Sequence, residues 1–147
     1  MELVYKTFDE LTSAEVYELL RARSEIFVVE QTCVYQDIDG IDYRSVHVFY
    51  KNDDGSVAGC LRLYTADMGQ DVIQLGRMLT VKHGTGLGGK LLHAGVEYAK
   101  KHMNAKKIFL HAQKYAIGFY AKEGFEVCSE EFLEDEIPHV EMELVCG

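Results

Sequence analysis

The sequence predicts a mixed α/β fold in which helices flank a central sheet of parallel and antiparallel strands. Three observations lead to this fold class. Two strand-like segments are joined by Asn-Asp-Asp-Gly at residues 52–55, a sequence typical of an antiparallel hairpin turn. A glycine-rich stretch at 84–89 separates a strand from a helix that leads into an apolar strand, and such a unit makes two strands parallel. The order β-α-β-β-β-α-β-α-β-β excludes a simple doubly wound fold.

The first half of the chain is predicted to contain one helix and four strands. Thr12 and Glu15 have the spacing of a capping box, and apolar residues at helical intervals extend a helix from about residue 13 into the mid-twenties. Periodicity is lost between residues 30 and 43, where acidic and aromatic residues mix, so a loop or a broken short helix is expected there. The predicted strands cover residues 3–6, 46–50, 57–65 and 71–81.

The second half is predicted to contain a strand–helix–strand unit followed by a helix and two strands. Gly124 suits the end of the predicted helix at 115–122, because glycine readily takes the left-handed conformation that terminates helices. Pro138 precedes the last strand, where it removes no hydrogen bond from the sheet. The predicted helices cover 91–103 and 115–122, and the predicted strands cover 108–110, 125–128 and 140–145.

Length and composition describe an ordinary globular chain. Its 147 residues, 48% hydrophobic and 27% charged, predict one domain over residues 1–147. No apolar run is long enough to span a bilayer and the first residues lack the pattern of a signal peptide, so we expect a cytoplasmic protein with no membrane partner. The net charge of −9 argues against nucleic acid as a partner, because like charges repel.

The cysteines and histidines carry no recognisable metal motif. A metal-dependent protein using His47, His111 and His139 is kept as a rival hypothesis, although their spacing follows no metal-ligand pattern. The cysteines are scattered without a CxxC pair, so free thiols are expected rather than disulfides. They are Cys33, Cys60, Cys128 and Cys146.

The glycine-rich turn at residues 84–90 is a favourable seat for a phosphate group. Its backbone N–H groups are unencumbered, and the following helix N-terminus adds roughly half a positive charge. Read as a Walker A loop, the stretch matches GxxxxGK, but Leu91 stands where a hydroxyl should hold magnesium. Read as a dinucleotide fingerprint, it matches GxGxxG, but no acidic residue ends the next strand at 107–112. Both matches are therefore weak.

The same turn resembles the acyl-CoA loop of the GNAT acetyltransferases. Gly86 and Gly88 match the glycines of the family's loop motif, and His83 stands where arginine or glutamine is usual. Residues 119–125, Phe-Tyr-Ala-Lys-Glu-Gly-Phe, resemble the family's FYxxxGF segment at the usual separation. The resemblance runs from about residue 20 to the C-terminus. The segments similar to the ElaA-like branch are 27–31, 76–77, 112–113 and 134–139.

The resemblance implies an acyl-CoA N-acyltransferase fold and an acetyl-CoA-dependent N-acetyltransferase. Acetyl-CoA would be the co-substrate, the acceptor would be a primary amine of a small molecule or a peptide, and no metal would take part. Lys82, Lys90 and Lys114 are positioned to offer positive charge to the CoA phosphates. The residues assigned to the co-substrate are Leu79, Thr80, Val81, Gly84, Thr85, Gly86, Leu87, Gly88, Gly89, Lys90 and Gln113.

Acetyl transfer needs a neutral amine, hydrogen-bond donors for the oxyanion and an acid for the departing thiolate. The resemblance implies that backbone N–H groups of residues 79–81 are the donors, at a bulge that splays this strand from its parallel partner. Tyr120 is the candidate acid, since a phenol stays protonated at neutral pH; the alternative, a core tyrosine on an amphipathic helix, is less favoured beside the glycine loop. Gln113 matches the position of an asparagine that contacts the pantetheine in many family members.

The general base is less defined by the sequence. Some family members use a glutamate on the strand before the loop, but the matching residue here is Gln74, which cannot accept a proton. His111, at the end of a buried strand, is the catalytic candidate for this role. The acids of segments 30–43 and 134–136 are predicted to attract a cationic acceptor, and 30–43 is either a wall of the acceptor pocket or a solvated linker. The alternative bases are His47, Glu134, His139 or a chain of water molecules.

Two further function classes stay open at this point. A catalytically silent acyl-CoA-binding or sensing module would carry the same loop without a working base. A nucleotide-hydrolysing P-loop protein ranks last, because it lacks the magnesium ligand. The acceptor amine is not identified by the sequence, and the oligomeric state, including a homodimer, is left open.

Overall fold

The computed structural model describes residues 1–147 and contains a mixed sheet of eight strands flanked by helices. Strands β1 to β8 span, in chain order, Glu2–Thr7, Val46–Lys51, Val57–Thr65, Val72–Thr80, Lys107–Gln113, Glu126–Val127, Phe132–Glu134 and Ile137–Val145. Helices α1 to α3 span Ser13–Arg23, Leu87–His102 and Ile117–Ala121, and a π-helix at Ser24–Glu30 continues α1. None of the helices has both the length and the apolar character needed to cross a membrane.

The sheet confirms the predicted mixture of parallel and antiparallel strands. Its strands lie in the order β1-β2-β3-β4-β5-β8-β6, and β7 pairs with β8 beside this path. Only β4 and β5 are parallel, and α2 forms the crossover between them. The two parallel strands therefore occupy the centre of the sheet.

Short-range sequence signals are confirmed where one or two residues determine the backbone. The Thr12 hydroxyl accepts a hydrogen bond from the Glu15 N–H at 3.1 Å, and the Glu15 carboxylate accepts from the Thr12 N–H at 2.9 Å. Gly55 closes the β2–β3 turn with a φ of +89°, and Gly124 follows α3 with a φ of +108°. These glycines adopt conformations that side chains disfavour.

The structure differs from the predicted elements in two places. The predicted helix at 115–122 is a 3₁₀ turn at residues 114–116 followed by the short α3. Strand β7 was not predicted, because it has only three residues, Phe-Leu-Glu, between acidic neighbours and is too short to show an alternating pattern. Its turn to β8 consists of Asp135 and Glu136, both with positive φ, where asparagine and glycine would be the recognisable pair.

The two faces of the sheet carry separate cores. Neighbouring strand residues point to opposite faces, so Val48 packs in the α2 core while Phe49 packs in the α1 core. On the α2 side, Gly95 lies so close to β3 that an added Cβ would sit 2.9 Å from a methyl carbon of Leu61. Helix α2 is thereby held at a short distance from the sheet.

A bulge in β4 opens the centre of the sheet. Gly76 lies opposite Arg62 and Leu79 lies opposite Cys60, so two residues of β4 face Leu61 alone. One of the two, Arg77, has a φ of +50°. The pairing of β4 with β5 ends at Gln74–Phe109 (residues 74 and 109), and beyond this point the two strands diverge. A gap therefore opens between their C-terminal halves.

We expect Gly95→Ala to destabilise the protein. The added methyl group would force Leu61, which is 1% exposed, to move within a filled core, and overpacking of this kind costs about 1–3 kcal/mol. This cost exceeds the gain in helix propensity of about 1 kcal/mol. Urea unfolding measures the difference. The matched control is Gly118→Ala in α3, where no atom lies within 4 Å of the added Cβ. Equal stability of the two variants would contradict the close contact.

Candidate functional site

A cleft of about 410 Å³ occupies the gap between β4 and β5. One wall is the end of the π-helix and the following loop, and the opposite wall is β5 with α3 and the β7–β8 hairpin. Among the predicted site residues, six line this cleft: Leu79, Thr80, Gly88, His111, Gln113 and Tyr120. The segment after residue 30 also contributes Gln31, Cys33 and Tyr35, so its interpretation as a pocket wall, rather than a solvated linker, is the one that the structure supports.

The predicted phosphate loop lies beside this cleft, at the start of α2. Gly84 and Gly86 have φ values of +75° and +78°, and Gly86 is the cap residue of the helix. The Leu87 N–H donates to the Thr85 hydroxyl at 3.3 Å. An added Cβ at Gly88 would lie 3.4 Å from the Phe119 ring, which is an ordinary contact distance, so α3 lies directly against the loop here. The turn thus has the conformation that its glycines predict.

The other face of the loop borders a second cavity of about 790 Å³. Four predicted site residues line it, namely Val81, Thr85, Leu87 and Lys90, and Gly89 lies in the same first turn of α2. Lys82 and Arg21 line it as well. Neither Lys82 nor Lys90 forms an ion pair. Lys114 does form one, because its Nζ lies 3.0 Å from the Glu131 carboxylate. Two of the three predicted lysines therefore lie beside the loop without an ion-pair partner, in a cavity that Glu18, Glu25 and Asp54 also line.

The edge of β4 offers fewer free amides than expected. The Val81 N–H donates to the Ala58 carbonyl at 2.9 Å, so it is not available as an oxyanion donor, and this part of the prediction was wrong. Hydrogen-bonded and non-bonded pairs alternate along an antiparallel ladder. Thr80, paired with Gly59 next to that bond, therefore directs its N–H away from β3 and toward the gap.

Tyr120 lines the cleft from α3. Its ring packs edge-on against Phe119 and Phe125, with centroids 5.1 and 6.0 Å away. Burial raises the pKa of the phenol above its ordinary value. The side chain is therefore protonated at neutral pH and carries a proton that it can donate into the cleft.

Gln113 lies across the cleft from Gln31. The Gln113 Nε2 donates to Gln31 Oε1 at 3.2 Å, which links the end of β5 to the end of the π-helix. Both amides line the cleft. The contact spans the gap at a point where β4 and β5 themselves no longer pair.

The histidines considered in the sequence separate into two locations. His111 Nδ1 lies 2.8 Å from the Glu134 carboxylate, and His139 Nε2 lies 3.4 Å from the other oxygen of the same group. His47 is elsewhere, buried on β2 with its Nε2 3.0 Å from the Asp42 carbonyl. The three histidines of the metal hypothesis are thus not brought together, and no group of three or more His, Cys, Asp or Glu residues suited to a metal ion is found.

The acids of the loop after residue 30 form a closed ring of ion pairs with three arginines. Each aspartate bridges two arginines and each arginine bridges two aspartates, at N···O distances from 2.7 to 3.4 Å. The ring contains Arg23, Asp37, Arg77, Asp39, Arg62 and Asp42, in that order. Arg23 and Arg62 are 3% exposed. We call this cluster the arginine–aspartate ring.

The ring corrects the prediction that the acids of segment 30–43 attract a cationic acceptor. The charges of the three aspartates are balanced one for one by the arginines, and the remaining acid, Glu30, lies 2.8 Å from His83 Nε2. Sequence reasoning missed the ring. A signal was present, because Arg23 lies on an apolar helix face and Arg62 lies within an apolar strand, and a buried arginine requires acidic partners.

Sequence comparison finds relatives along nearly the whole chain. The sequence matches the family described as "Acetyltransferase (GNAT) domain" over residues 11–146. A UPF0039 protein of Schizosaccharomyces pombe is 37% identical over 147 residues, which cover 98% of this chain and 97% of that protein. Protein ElaA of Escherichia coli is 34% identical over 138 residues, which cover 90% of this chain and 89% of ElaA.

Structural comparison finds the same architecture in crystal structures. An acyl-CoA N-acyltransferase from Pseudomonas aeruginosa superposes with a TM-score of 0.88 at 32% identity, covering 97% of this chain and 99% of that one. Escherichia coli ElaA superposes with a TM-score of 0.88 at 32% identity, covering 97% of each chain. The mixed sheet with its flanking helices is therefore also present in these two proteins.

We expect Asp39→Asn to destabilise the protein by about 2–3 kcal/mol near pH 7, because Arg62 would lose a charged partner while remaining buried. Burial by itself would raise the pKa of Asp39, but hydrogen bonds from Arg62 and the Ile41 N–H, with the charges of Arg62 and Arg77, lower it to about 2. A lowered pKa in the folded state contributes stability above the unfolded value, about 3.9, and this contribution is lost as the pH falls through the folded value.

Urea unfolding at about pH 7 and at about pH 2.5 tests this expectation. The difference between wild type and Asp39→Asn should be large at the higher pH and should shrink at the lower. Asp67→Asn, at an exposed position that forms no ion pair, is the matched control and should have no effect. A difference independent of pH would contradict an electrostatic role for Asp39.

Proposed function

This chain belongs to the GNAT acetyltransferase family, and on that basis we propose that it transfers the acetyl group of acetyl-CoA to a primary amine of a small molecule or a peptide. Family and fold support an acyl-CoA-dependent acetyltransferase. The observation that carries the proposal is the gap between β4 and β5, which opens next to a glycine turn at the N-terminus of a 16-residue helix. In this arrangement the thioester of acetyl-CoA would lie in the gap, and the phosphates of the same molecule would lie at the helix N-terminus.

The phosphate side of the proposal rests on the loop of residues 82–90. Exposed backbone N–H groups at the start of α2 and the helix dipole favour an anion there. Lys82 and Lys90 provide positive charge on the rim of the adjacent cavity, although the chain as a whole carries a net charge of −9. In this proposal the loop binds the CoA pyrophosphate.

The thioester side rests on the unpaired edge of β4. The Thr80 N–H faces the gap, so an extended pantetheine arm could add to this edge as a further strand would. The Gln113 amide both donates and accepts hydrogen bonds and lies where it could bind the amides of the arm. Binding there requires the Gln31–Gln113 contact to open or shift.

The proposed chemistry is direct transfer with His111 as base and Tyr120 as acid. The amine nitrogen attacks the thioester carbon and its proton passes to the His111 imidazole, while a new C–N bond forms. The C–S bond then breaks, and the Tyr120 hydroxyl gives its proton to the departing thiolate, which leaves as free CoA thiol. The proton on His111 returns to the Tyr120 phenolate through solvent. Both side chains line the same cleft.

We propose a cationic acceptor, which loses a proton before attack. With the acids of the arginine–aspartate ring neutralised, the negative charge left at the cleft comes from the β7–β8 hairpin, where Glu134 and Asp135 line it. An ammonium group approaching this side would be attracted. The four free cysteines favour a reducing compartment, so we also propose a cytoplasmic location.

A non-catalytic acyl-CoA-binding module is the second candidate function. It is favoured by one observation, which is that Gln74, unlike a glutamate, cannot act as a base on β4. Release of free thiol from acetyl-CoA in the presence of a panel of primary amines separates the two functions. Binding by calorimetry without any thiol release would establish the second.

We expect Gly86→Ala to weaken acetyl-CoA binding by roughly tenfold or more, because a side chain at a φ of +78° would distort the loop that holds the phosphates. Isothermal titration calorimetry measures the dissociation constant. Gly55→Ala is the matched control, since that glycine has a similar φ of +89°, equally open surroundings and a position in a remote hairpin. Gly55→Ala should bind acetyl-CoA as wild type does. An equal loss of acetyl-CoA affinity in both variants would contradict the assignment of the phosphate loop.

We expect Tyr120→Phe to lower kcat by about 100-fold and to leave the affinity for acetyl-CoA nearly unchanged, because only the proton donor is removed. The ring and its packing against Phe119 are retained. Thiol-release kinetics and calorimetry together measure the two effects. Tyr17→Phe, on the exposed side of α1, is the control and should leave both unchanged. Wild-type turnover in Tyr120→Phe with a good acceptor would remove this residue from the mechanism.

A further inference from the structure

The β7–β8 hairpin brings a carboxylate and a second histidine to the proposed base. His111 lies on β5, Glu134 ends β7 and His139 lies on β8. The Glu134 carboxylate is 2.8 Å from His111 Nδ1 through one oxygen and 3.4 Å from His139 Nε2 through the other. His139 in turn donates its Nδ1–H to the Ile137 carbonyl at 2.7 Å. The carboxylate is therefore held by His111, and the His139 ring lies beside it.

The contact with Glu134 determines which nitrogen of His111 carries the proton. An ionised carboxylate only accepts hydrogen bonds, so the neutral imidazole must present Nδ1–H to Glu134. Its Nε2 is then an unprotonated nitrogen with a free lone pair, and this atom forms no hydrogen bond within the protein. The ring is fixed edge-on between Phe109 and Phe132, with centroids 5.4 and 5.3 Å away. Only rotation of the whole side chain would exchange the two nitrogens.

We propose that Glu134 is a positioning residue, which holds His111 in the tautomer and orientation that leave Nε2 free to take the proton of the acceptor amine. The inference rests on the proposed function, because it assigns the surroundings of the base of that reaction. The arrangement is a histidine aligned by a carboxylate, a device that makes imidazole an effective base.

The hairpin turn supports this assignment. Asp135 and Glu136 have φ values of +51° and +66°, which are strained for residues with side chains. The turn is nevertheless two residues long, and the strand residues on either side are Glu134 and Ile137. The short turn places the Glu134 carboxylate beside His111 and the Ile137 carbonyl beside His139. Strain of this kind persists where the surrounding structure holds it and where position matters for function.

The charges around His111 give the expected direction of its titration. The hydrogen bond to Glu134 raises the pKa of His111, burial opposes the rise, and the charges of Glu134 and of Glu141 on β8 add to it. His139 on β8 also faces the carboxylate, and Arg77 of β4 lowers the pKa of Glu134 from a greater distance, after the larger effect of His111 itself. Removal of the Glu134 charge should therefore lower the pKa of His111.

The test is nitrogen and proton NMR of the imidazole groups in the full chain, with the His111 signals assigned from a His111→Gln variant. In wild type we expect the Nδ1–H tautomer and a pKa above the ordinary value. Glu134→Gln should lower that pKa. The acidic limb of the kcat/KM profile should then move to lower pH as well, because the base stays unprotonated to a lower pH. The plateau of kcat/KM should fall by about tenfold, since a weaker base is a poorer catalyst.

Two further variants separate positioning from a general effect on the hairpin. Glu136→Gln removes the same charge from an exposed neighbour in the turn and should leave the His111 titration unchanged. Glu134→Asp keeps the charge and should restore much of the His111 pKa. An unchanged tautomer and pKa in Glu134→Gln, or an equal shift in Glu136→Gln, would overturn the inference.

The outcomes also distinguish this inference from the proposed function. An NMR shift in Glu134→Gln without the matching displacement of the kcat/KM profile would overturn the role of Glu134 while acetyl transfer stood. Absence of thiol release from wild-type protein with every amine tested would overturn the proposed function, and the positioning role would fall with it.

Discussion

The arginine–aspartate ring is the constraint on which the arrangement of the site depends. Two of its arginines are almost fully buried, and each is neutralised only if the loop after residue 30 folds back over the sheet. Buried ion pairs add little net stability, but losing one partner leaves a charge without compensation. The ring ties α1, β3, β4 and the loop together through side chains, and it includes Arg77, the bulge residue with a φ of +50°. It therefore holds the strained backbone that opens the sheet.

The opening turns a liability of β-sheets into a binding surface. An unpaired strand edge normally exposes hydrogen-bonding groups that attract other chains. Here the free edge lies in the middle of the sheet, where β4 has left β5, and it is enclosed by the π-helix, the loop and the β7–β8 hairpin. A chain that must bind the arm of acyl-CoA has a use for such an edge.

The two ends of the cleft have different electrostatic character. One end adjoins the N-terminus of α2 and two lysines without ion-pair partners, which favour phosphate. The other adjoins Glu134, Asp135 and two histidines, which favour a cationic amine and its proton. Tyr120 lies on the cleft wall with a raised pKa. A net charge of −9 therefore says little about the site, because the local arrangement decides which charge each end attracts.

The sequence by itself determined the features that neighbouring residues control: the capping box at Thr12, the turn at Gly55, the glycine loop before α2 and the order of most elements. The resemblance to a known family predicted a CoA-binding role for the glycine loop and an acid role for Tyr120, and both roles stay predictions. Only the tertiary structure decided the arginine–aspartate ring, strand β7, the engagement of the Val81 amide and the contact of Glu134 with His111. Arg77 and Asp37 are 40 residues apart, and His111 and Glu134 are 23 apart. Local sterics and capping bonds leave a pattern in adjacent residues, whereas contacts between distant residues depend on which faces of the chain meet.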